Sequence, residues 1–274
     1  MNQHGKSSGE TGTVLFFDLD DTLVIERASA EEAFLAAARL AQERYTIDPE
    51  LLSQQVKIRA RELWHELPTY PYCVKIGISS WEGLWGNFTG EHRMLGELSR
   101  LTDRYRLDSW HRALRDSDID DRELALELSG RFIAERRKRH IPFPETAAVL
   151  TDLAAGSRLG MITNGAPAIQ REKIEGSGIG HFFDDIIISG EVNAGKPERE
   201  IFRLAMNRFN AEPAACAIVG DSINRDIAGG QQAGMRTIWI NRDGKKLETH
   251  RPDHIIASLT EIPELLRAHL RRGK

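Results

Sequence analysis

The run Asp18-Leu19-Asp20-Asp21-Thr22 follows directly on the apolar stretch Val14-Leu15-Phe16-Phe17. A short, continuous apolar run rich in β-formers reads as a buried strand of a parallel sheet. The acids then stand at its C-terminal end, where open α/β sheets place their ligands. Alternate residues of an extended segment share a face, so Asp18 and Asp20 can converge on one crevice. Two carboxylates at that range repel unless a cation lies between them, and an oxygen-rich site suits Mg²⁺. A solvated acidic turn accounts for the same five residues, so taken alone they decide little.

Three more constellations follow. Met161-Ile162-Thr163-Asn164-Gly165 ends another apolar run; a Thr hydroxyl there can bond an anionic oxygen, and N–H groups opening the next helix favour anions. Thr-Asn-Gly is also ordinary turn chemistry. Gly195-Lys196-Pro197 reads as the opening of a helix at Pro197. A cation is disfavoured there by the macrodipole unless a phosphate or carboxylates lie opposite. In Ile218-Val219-Gly220-Asp221-Ser222-Ile223-Asn224-Arg225-Asp226 an apolar strand ends in Gly-Asp, with a second acid five residues on. Asp221 is placed to hold a metal and Asp226 to orient Lys196 or a metal-bound water. An N-cap Asp followed by a surface Asp is the plain alternative.

The elements that must position these residues are an alternation of strands and helices with one long interruption. Strands are expected at 14–17, 158–163, 185–189, 215–220, 236–240 and 254–256, with helices between them and after the last, the signature of a doubly wound α/β domain. Residues 25–140 carry helical periodicity only. One helix is read over 29–45, with Ser29 as its N-cap and Glu32 at capping-box spacing; others lie near 49–67, 91–114 and 121–139. The simplest arrangement inserts a helical domain, 25–140, between the first strand and the rest of an α/β core made of 13–24 and 141–274. Residues 1–12 are polar and Gly/Ser-rich and read as a flexible tail.

Four acid, hydroxyl or lysine sites, each at or after the end of a parallel strand and in this order, resemble the four motifs of the haloacid dehalogenase-like (HAD) hydrolase superfamily. The DxDxT motif is matched by Asp18-Leu19-Asp20-Asp21-Thr22, the second motif by Thr163, the third by Lys196, and GDxxxxD by Gly220-Asp221 and Asp226. The resemblance covers residues 13–23 and 141–260, and the superfamily's α-helical C1 cap agrees in position and type with the helical block. It implies a Rossmann-like HAD core in which Asp18 is the nucleophile, forming an aspartyl-phosphate. Asp20 would be the general acid and then the base. Thr163, Asn164 and Lys196 would surround the phosphoryl oxygens. Mg²⁺ would be held by Asp18, Asp221 and, through its backbone carbonyl, Asp20, with Asp226 supporting Lys196. Residues 229–241 and 251–256 are similar to the branch holding the N-acylneuraminate-9-phosphatases and pyrimidine 5′-nucleotidases.

The expected activity is therefore Mg²⁺-dependent hydrolysis of a small phosphorylated metabolite by a cytoplasmic monomer or homodimer. Haloacid dehalogenases of the superfamily work without a metal and typically lack the acids corresponding to Asp20 and Asp221. A phosphomutase would use the same motifs, and a non-catalytic binding module would usually have lost one of them. The composition is that of an ordinary globular chain: 274 residues, 41% hydrophobic, 28% charged. Lys+Arg 37 against Asp+Glu 41 gives a net charge of −4, which disfavours nucleic acid as a partner. No apolar run approaches a membrane span. Cys73 and Cys216 form no disulfide framework or zinc motif and are read as packing residues.

Within the helical block, Trp81, Trp85 and Phe88 fall at i, i+4 and i+7, an aromatic stripe read as core or, less readily, as a substrate platform. The basic run Arg136-Arg137-Lys138-Arg139-His140 reads as a solvated helix C-terminus.

Overall fold

A computed structural model describes residues 13–247 and 249–272; the tail expected over 1–12 lies outside them. Strand β1 (Val14–Phe17) sits inside a six-stranded, wholly parallel sheet of order β3-β2-β1-β4-β5-β6. The other strands are β2 (Arg158–Thr163), β3 (Asp185–Ile188), β4 (Cys216–Gly220), β5 (Arg236–Ile240) and β6 (His254–Ile256). Phe17 is in register with Met161 on one side and Val219 on the other. The C-terminal ends of β1, β2 and β4 therefore open on one edge of the sheet. The strand order runs outward in opposite directions from β1 and β4, which makes the gap above them the topological switch point where such sheets bind ligands.

Alternating side chains of β1 fill both faces. Leu15 and Phe17 join Met161, Val219 and Ile238, covered by α7 (Thr146–Ala154) and α12 (Ile262–Arg272) through Leu150, Leu153 and Ile262. Val14 and Phe16 join Ile162 and Ile218 beneath α10 (Arg199–Arg208) and α11 (Ala228–Ala233), through Ile201, Phe202 and Ala233. The doubly wound parallel fold is thus as expected.

Between β1 and β2 run α1 (Glu26–Ala41), α2 (Pro49–Glu66), α3 (Tyr70–Ile76), α4 (Ser80–Gly83), α5 (Arg93–Arg115) and α6 (Arg122–Arg137). Phe34, Trp85, Trp110 and Phe132 anchor a separate apolar cluster there, with α2 packed on α5 and α1 on α6. The cluster reaches Ala166 and Ile169 at the start of α8 (Pro167–Ser177), so the helices rest on the strand-to-helix turn after β2. None of the described helices is long and apolar enough to cross a membrane.

Several local expectations are corrected. Helix α1 begins three residues before Ser29, which is buried within it, because the Glu26 and Arg27 N–H groups donate to Asp21 Oδ1 at 3.1 and 3.0 Å. The acidic turn itself caps the first helix. Trp81, Trp85 and Phe88 do not share a helix. Helix α4 stops at Gly83, and Arg106 takes the carbonyls of Gly83 and Gly86 at 3.1 and 2.6 Å, satisfying them outside a helical ladder. The helix expected from Pro197 starts at Arg199, since the Lys196 backbone is engaged elsewhere. Arg136 is not solvated: it is fully buried, ion-paired to Glu26 and lies 5.0 Å from the Trp85 ring. Cys73 and Cys216 are free and buried, as packing residues should be.

Candidate active site

The turn after β1 is tightened by Leu23 and Val24 N–H groups donating to Leu19 O and by Asp21 N–H donating to Val24 O, with Asp21 at φ 57°. That geometry leaves Asp18 and Asp20 at the sheet edge. Asp18 N–H donates to Val219 O, continuing the β1–β4 ladder one residue past the strand and fixing its backbone. Thr22 Oγ1 donates to Asp18 Oδ2 at 3.1 Å and accepts from Asp221 N at 3.0 Å, so one hydroxyl ties the first acidic turn to the one after β4. Trp239 Nε1 donates to Asp221 O from β5.

Lys196 meets Asp18 from the other side. Its Nζ donates to Asp18 Oδ1 at 2.5 Å and Ile162 O at 2.7 Å, and lies 2.6 Å from Asp226 Oδ1. Asn164 holds the Lys196 backbone at both ends: Lys196 N donates to its Oδ1 and its Nδ2 donates to Lys196 O, at 2.8 and 2.9 Å. The Asn164 side chain is thus spent on positioning Lys196. Asp226 is reached through a single π-helical turn, Ile223–Ile227, and its Oδ2 accepts from Ser222 N. Only glycine fits at 220, since a Cβ there would stand 2.3 Å from Asp226 Cγ.

Asp18, Asp221 and Asp226 each offer a carboxylate oxygen, all within 4.8 Å of one another. Burial pushes the Asp18 carboxyl up to about 7; Lys196 opposes this, and the Asp226 and Asp20 charges reinforce it. Burial pushes Asp221 up to about 8, reinforced by Asp18 and Asp226. One lysine does not offset three crowded acids, which is the electrostatic condition a divalent cation relieves. The Asp20 carboxylate stands apart from this trio.

Asp20 instead faces a pair of residues that the sequence reading missed. Lys173 Nζ lies 3.1 and 3.0 Å from its two oxygens, and Gln170 Nε2 donates to Oδ2 at 3.1 Å and to Thr163 Oγ1 at 2.6 Å. Lys173, 1% exposed, also meets Glu82 at 2.9 Å and Glu26 at 3.2 Å. Glu82 is held by its capping box with Ser79. Burial works against charge on Lys173, but Asp20, Glu26 and Glu82 outweigh it and raise its pKa. The sequence carries a signal for this: Ile169, Gln170, Lys173 and Ile174 share one stripe of α8, so a lysine stands in an otherwise buried face. Burial also raises Asp20, with Lys173 opposing.

The structure therefore brings Asp18, Asp20, Thr163, Asn164, Lys196, Asp221 and Asp226 to one place. All but the fully buried Thr163 line a cleft of about 260 Å³ between the sheet edge and the α3–α4 segment. Gly77, at φ +81°, lets that segment approach: a Cβ there would lie 2.8 Å from Asn164 Cβ.

The family model for haloacid dehalogenase-like hydrolases matches residues 13–234. A phosphoserine phosphatase of Thermus thermophilus is 34% identical over 255 residues, covering 91% of this chain and 97% of the relative. The mouse N-acylneuraminate-9-phosphatase is 29% identical over 262 residues, 93% of each chain. Among solved structures, a 2-haloacid dehalogenase from Pseudomonas syringae superposes with TM-score 0.58 at 29% identity, covering 93% of this chain and 98% of that one. The HAD-hydrolase YfnB from Bacillus subtilis reaches TM-score 0.64 at 23% identity, covering 93% and 98%, a likeness of fold.

Proposed function

The chain belongs to the haloacid dehalogenase-like hydrolase family, and on that premise we propose that it is a Mg²⁺-dependent phosphatase of a small phosphorylated metabolite, working through an aspartyl-phosphate. Relatives named as phosphatases of phosphoserine and N-acylneuraminate 9-phosphate support this reaction class.

The observation that carries the reading is the setting of Asp18. Its Oδ1 faces Lys196, its Oδ2 faces the Thr22 hydroxyl, and the Asp221 and Asp226 carboxylates are within 4.8 Å. In this reading an Asp18 oxygen attacks phosphorus and the ester C–O–P bond breaks on the far side, leaving the alcohol oxygen to take a proton from Asp20. Asp20 then accepts a proton from the water that attacks the aspartyl-phosphate, which releases inorganic phosphate and restores Asp18. Lys196 offsets charge on Asp18 and the transferring group, and Asp226 with Asn164 holds Lys196 in line. Mg²⁺ would be held by Asp18 and Asp221, with the Asp20 carbonyl, and would supply charge neutralisation for the phosphoryl group. The three-acid cluster, paired among the described residues with Lys196 alone, fits such an ion.

Helices α1–α6, residues 25–140, act in this reading as a cap over a core made of 13–24 and 141–274. The Glu82–Lys173 and Glu26–Lys173 pairs, with Arg27–Asp21, are among its polar contacts with the site. Asp20 and Asp221 are the reason for preferring a phosphatase to a dehalogenase, which has no alkoxide to protonate.

The test is turnover of an aryl phosphate by wild type and Asp18→Asn, with Mg²⁺ and after chelation. Release of inorganic phosphate that needs both Asp18 and the metal is expected. Wild-type rates in Asp18→Asn, with deamidation excluded by mass, overturn the nucleophile; undiminished rates after chelation overturn the metal. Transfer of phosphate to a second position of the substrate, without release, would make the enzyme a mutase.

A further inference from the structure

Beside the acidic cleft lies a second cavity of about 480 Å³, walled by α1–α4 and the turn after β4. The two share Arg27, Gly77, Ser79, Trp81 and Arg225, so they are chambers of one space. Their charges are opposite. Seven acids stand against four cations in the first chamber. In the second, among the described residues, the only acid is Glu31, against Arg27, Lys57, Arg61 and Arg225.

Two of those cations are already engaged. Lys57 pairs with Glu31 at 2.6 Å, and Arg27 with Asp21 at 3.3 Å and Asp243 at 3.7 Å. Arg61 and Arg225 have no carboxylate partner among the described residues, and both are accessible from the cavity. Arg225 lines both chambers, so it stands at their junction. Trp64, Tyr70 and Leu84 supply the apolar part of the wall.

With a phosphoryl group at Asp18, the second chamber offers space for the alcohol portion of the ester. An amine there meets like charge, and a neutral polyol gains no ion pair from the two exposed guanidinium groups. A carboxylate matches the planar fork of an arginine with two parallel hydrogen bonds. We propose that the leaving alcohol of the physiological substrate carries a carboxylate, recognised by Arg61 and Arg225. This rests on the phosphatase reading above and narrows its substrate class.

Matched esters differing in that group alone provide the test: 3-phosphoglycerate against glycerol 3-phosphate, and 6-phosphogluconate against glucitol 6-phosphate, with an aryl phosphate as reference. The two pairs span different lengths. We expect the carboxylate member of at least one pair to be preferred about tenfold or more in kcat/KM, the range of one charge-assisted hydrogen bond. We expect Arg61→Met and Arg225→Met to reduce that preference about tenfold, as a ratio within each variant, with melting temperatures near wild type because neither side chain has an ion-pair partner among the described residues to lose. No preference in either pair while the aryl phosphate is hydrolysed overturns the carboxylate and leaves the phosphatase reading standing. A preference that survives both substitutions overturns the two arginines. Failure to hydrolyse any of the five esters overturns both readings.

Discussion

The Lys173 ammonium lies within 3.1 Å of both carboxylate oxygens of Asp20, and the same ammonium is 2.9 Å from Glu82 and 3.2 Å from Glu26. Asp20 belongs to the turn after β1, Lys173 to α8, and the two glutamates to α1 and α4. One buried cation thus binds three carboxylates that approach from both parts of the molecule. The side chain proposed to protonate the leaving group is therefore oriented in part by helices of the block between β1 and β2.

Substituting Lys173 by Met would leave three acids facing one another without their shared cation. Removing one member of a buried ion pair typically costs about 3–5 kcal/mol, so we expect a clear fall in melting temperature together with loss of turnover. Glu82→Gln is the milder variant, since the amide retains the capping geometry with Ser79. It should keep most of the stability and lower kcat more than it alters KM on an aryl phosphate. Unchanged kcat in Glu82→Gln would confine the network to a structural role.

Asp18 and Asp221 give a second expectation, with a definite sign. Their carboxyl groups are raised to about 7 and about 8 from an ordinary value of 3.8. Between 3.8 and those values the folded chain holds protons that the unfolded chain has released, so stability falls as pH rises through this window. Metal-free protein should accordingly have a lower denaturation midpoint at pH 8 than at pH 5.5. Mg²⁺ should raise the midpoint more at pH 8, where the carboxylates are free to bind it. The same pH dependence in Asp221→Asn as in wild type would show that these groups are not its source.

The two tryptophans of the aromatic stripe should separate cleanly. Trp85 is 1% exposed, packed in the helical cluster beneath Arg136. Its replacement by Ala should cost about 3–5 kcal/mol, read as a large drop in melting temperature. Trp81 lines both chambers and is only partly buried. Trp81→Ala should leave the melting temperature nearly unchanged and raise KM. Comparable thermal losses in both variants would return Trp81 to the core.

The sequence was most informative where chemistry coincides with a strand end. Val14–Phe17, Arg158–Thr163 and Cys216–Gly220 are short apolar runs, and the residues that follow each have little freedom in where they emerge. It was least informative where a polar residue is buried by a partner distant in the chain. Lys173 meets residues 91, 147 and 153 positions away, and no local pattern encodes those partners. Arg136 is the same case: within a basic run it looks like its neighbours, yet Glu26, 110 positions earlier, draws it inside. Ser29 failed as a cap for a related reason. Asp21, held at φ 57° by the turn after β1, had already supplied the acceptor.

The placement of β1 bears on how the protein comes into being. This strand is made before the other five of the sheet, yet its partners are β2 and β4, with Phe17 beside Met161 and Val219. On an elongating ribosome the apolar run Val14–Phe17 must wait for about 140 further residues before β2 is made and about 200 before β4, while the intervening helices have partners close at hand and can gather early. Loop-closure entropy makes that final pairing slow. Asp18, bonded through its own N–H to Val219 O, reaches its working position only after β4 has been made. Nascent or truncated chains ending before β4 would accordingly carry an incomplete site, with β1 still lacking its β4 neighbour.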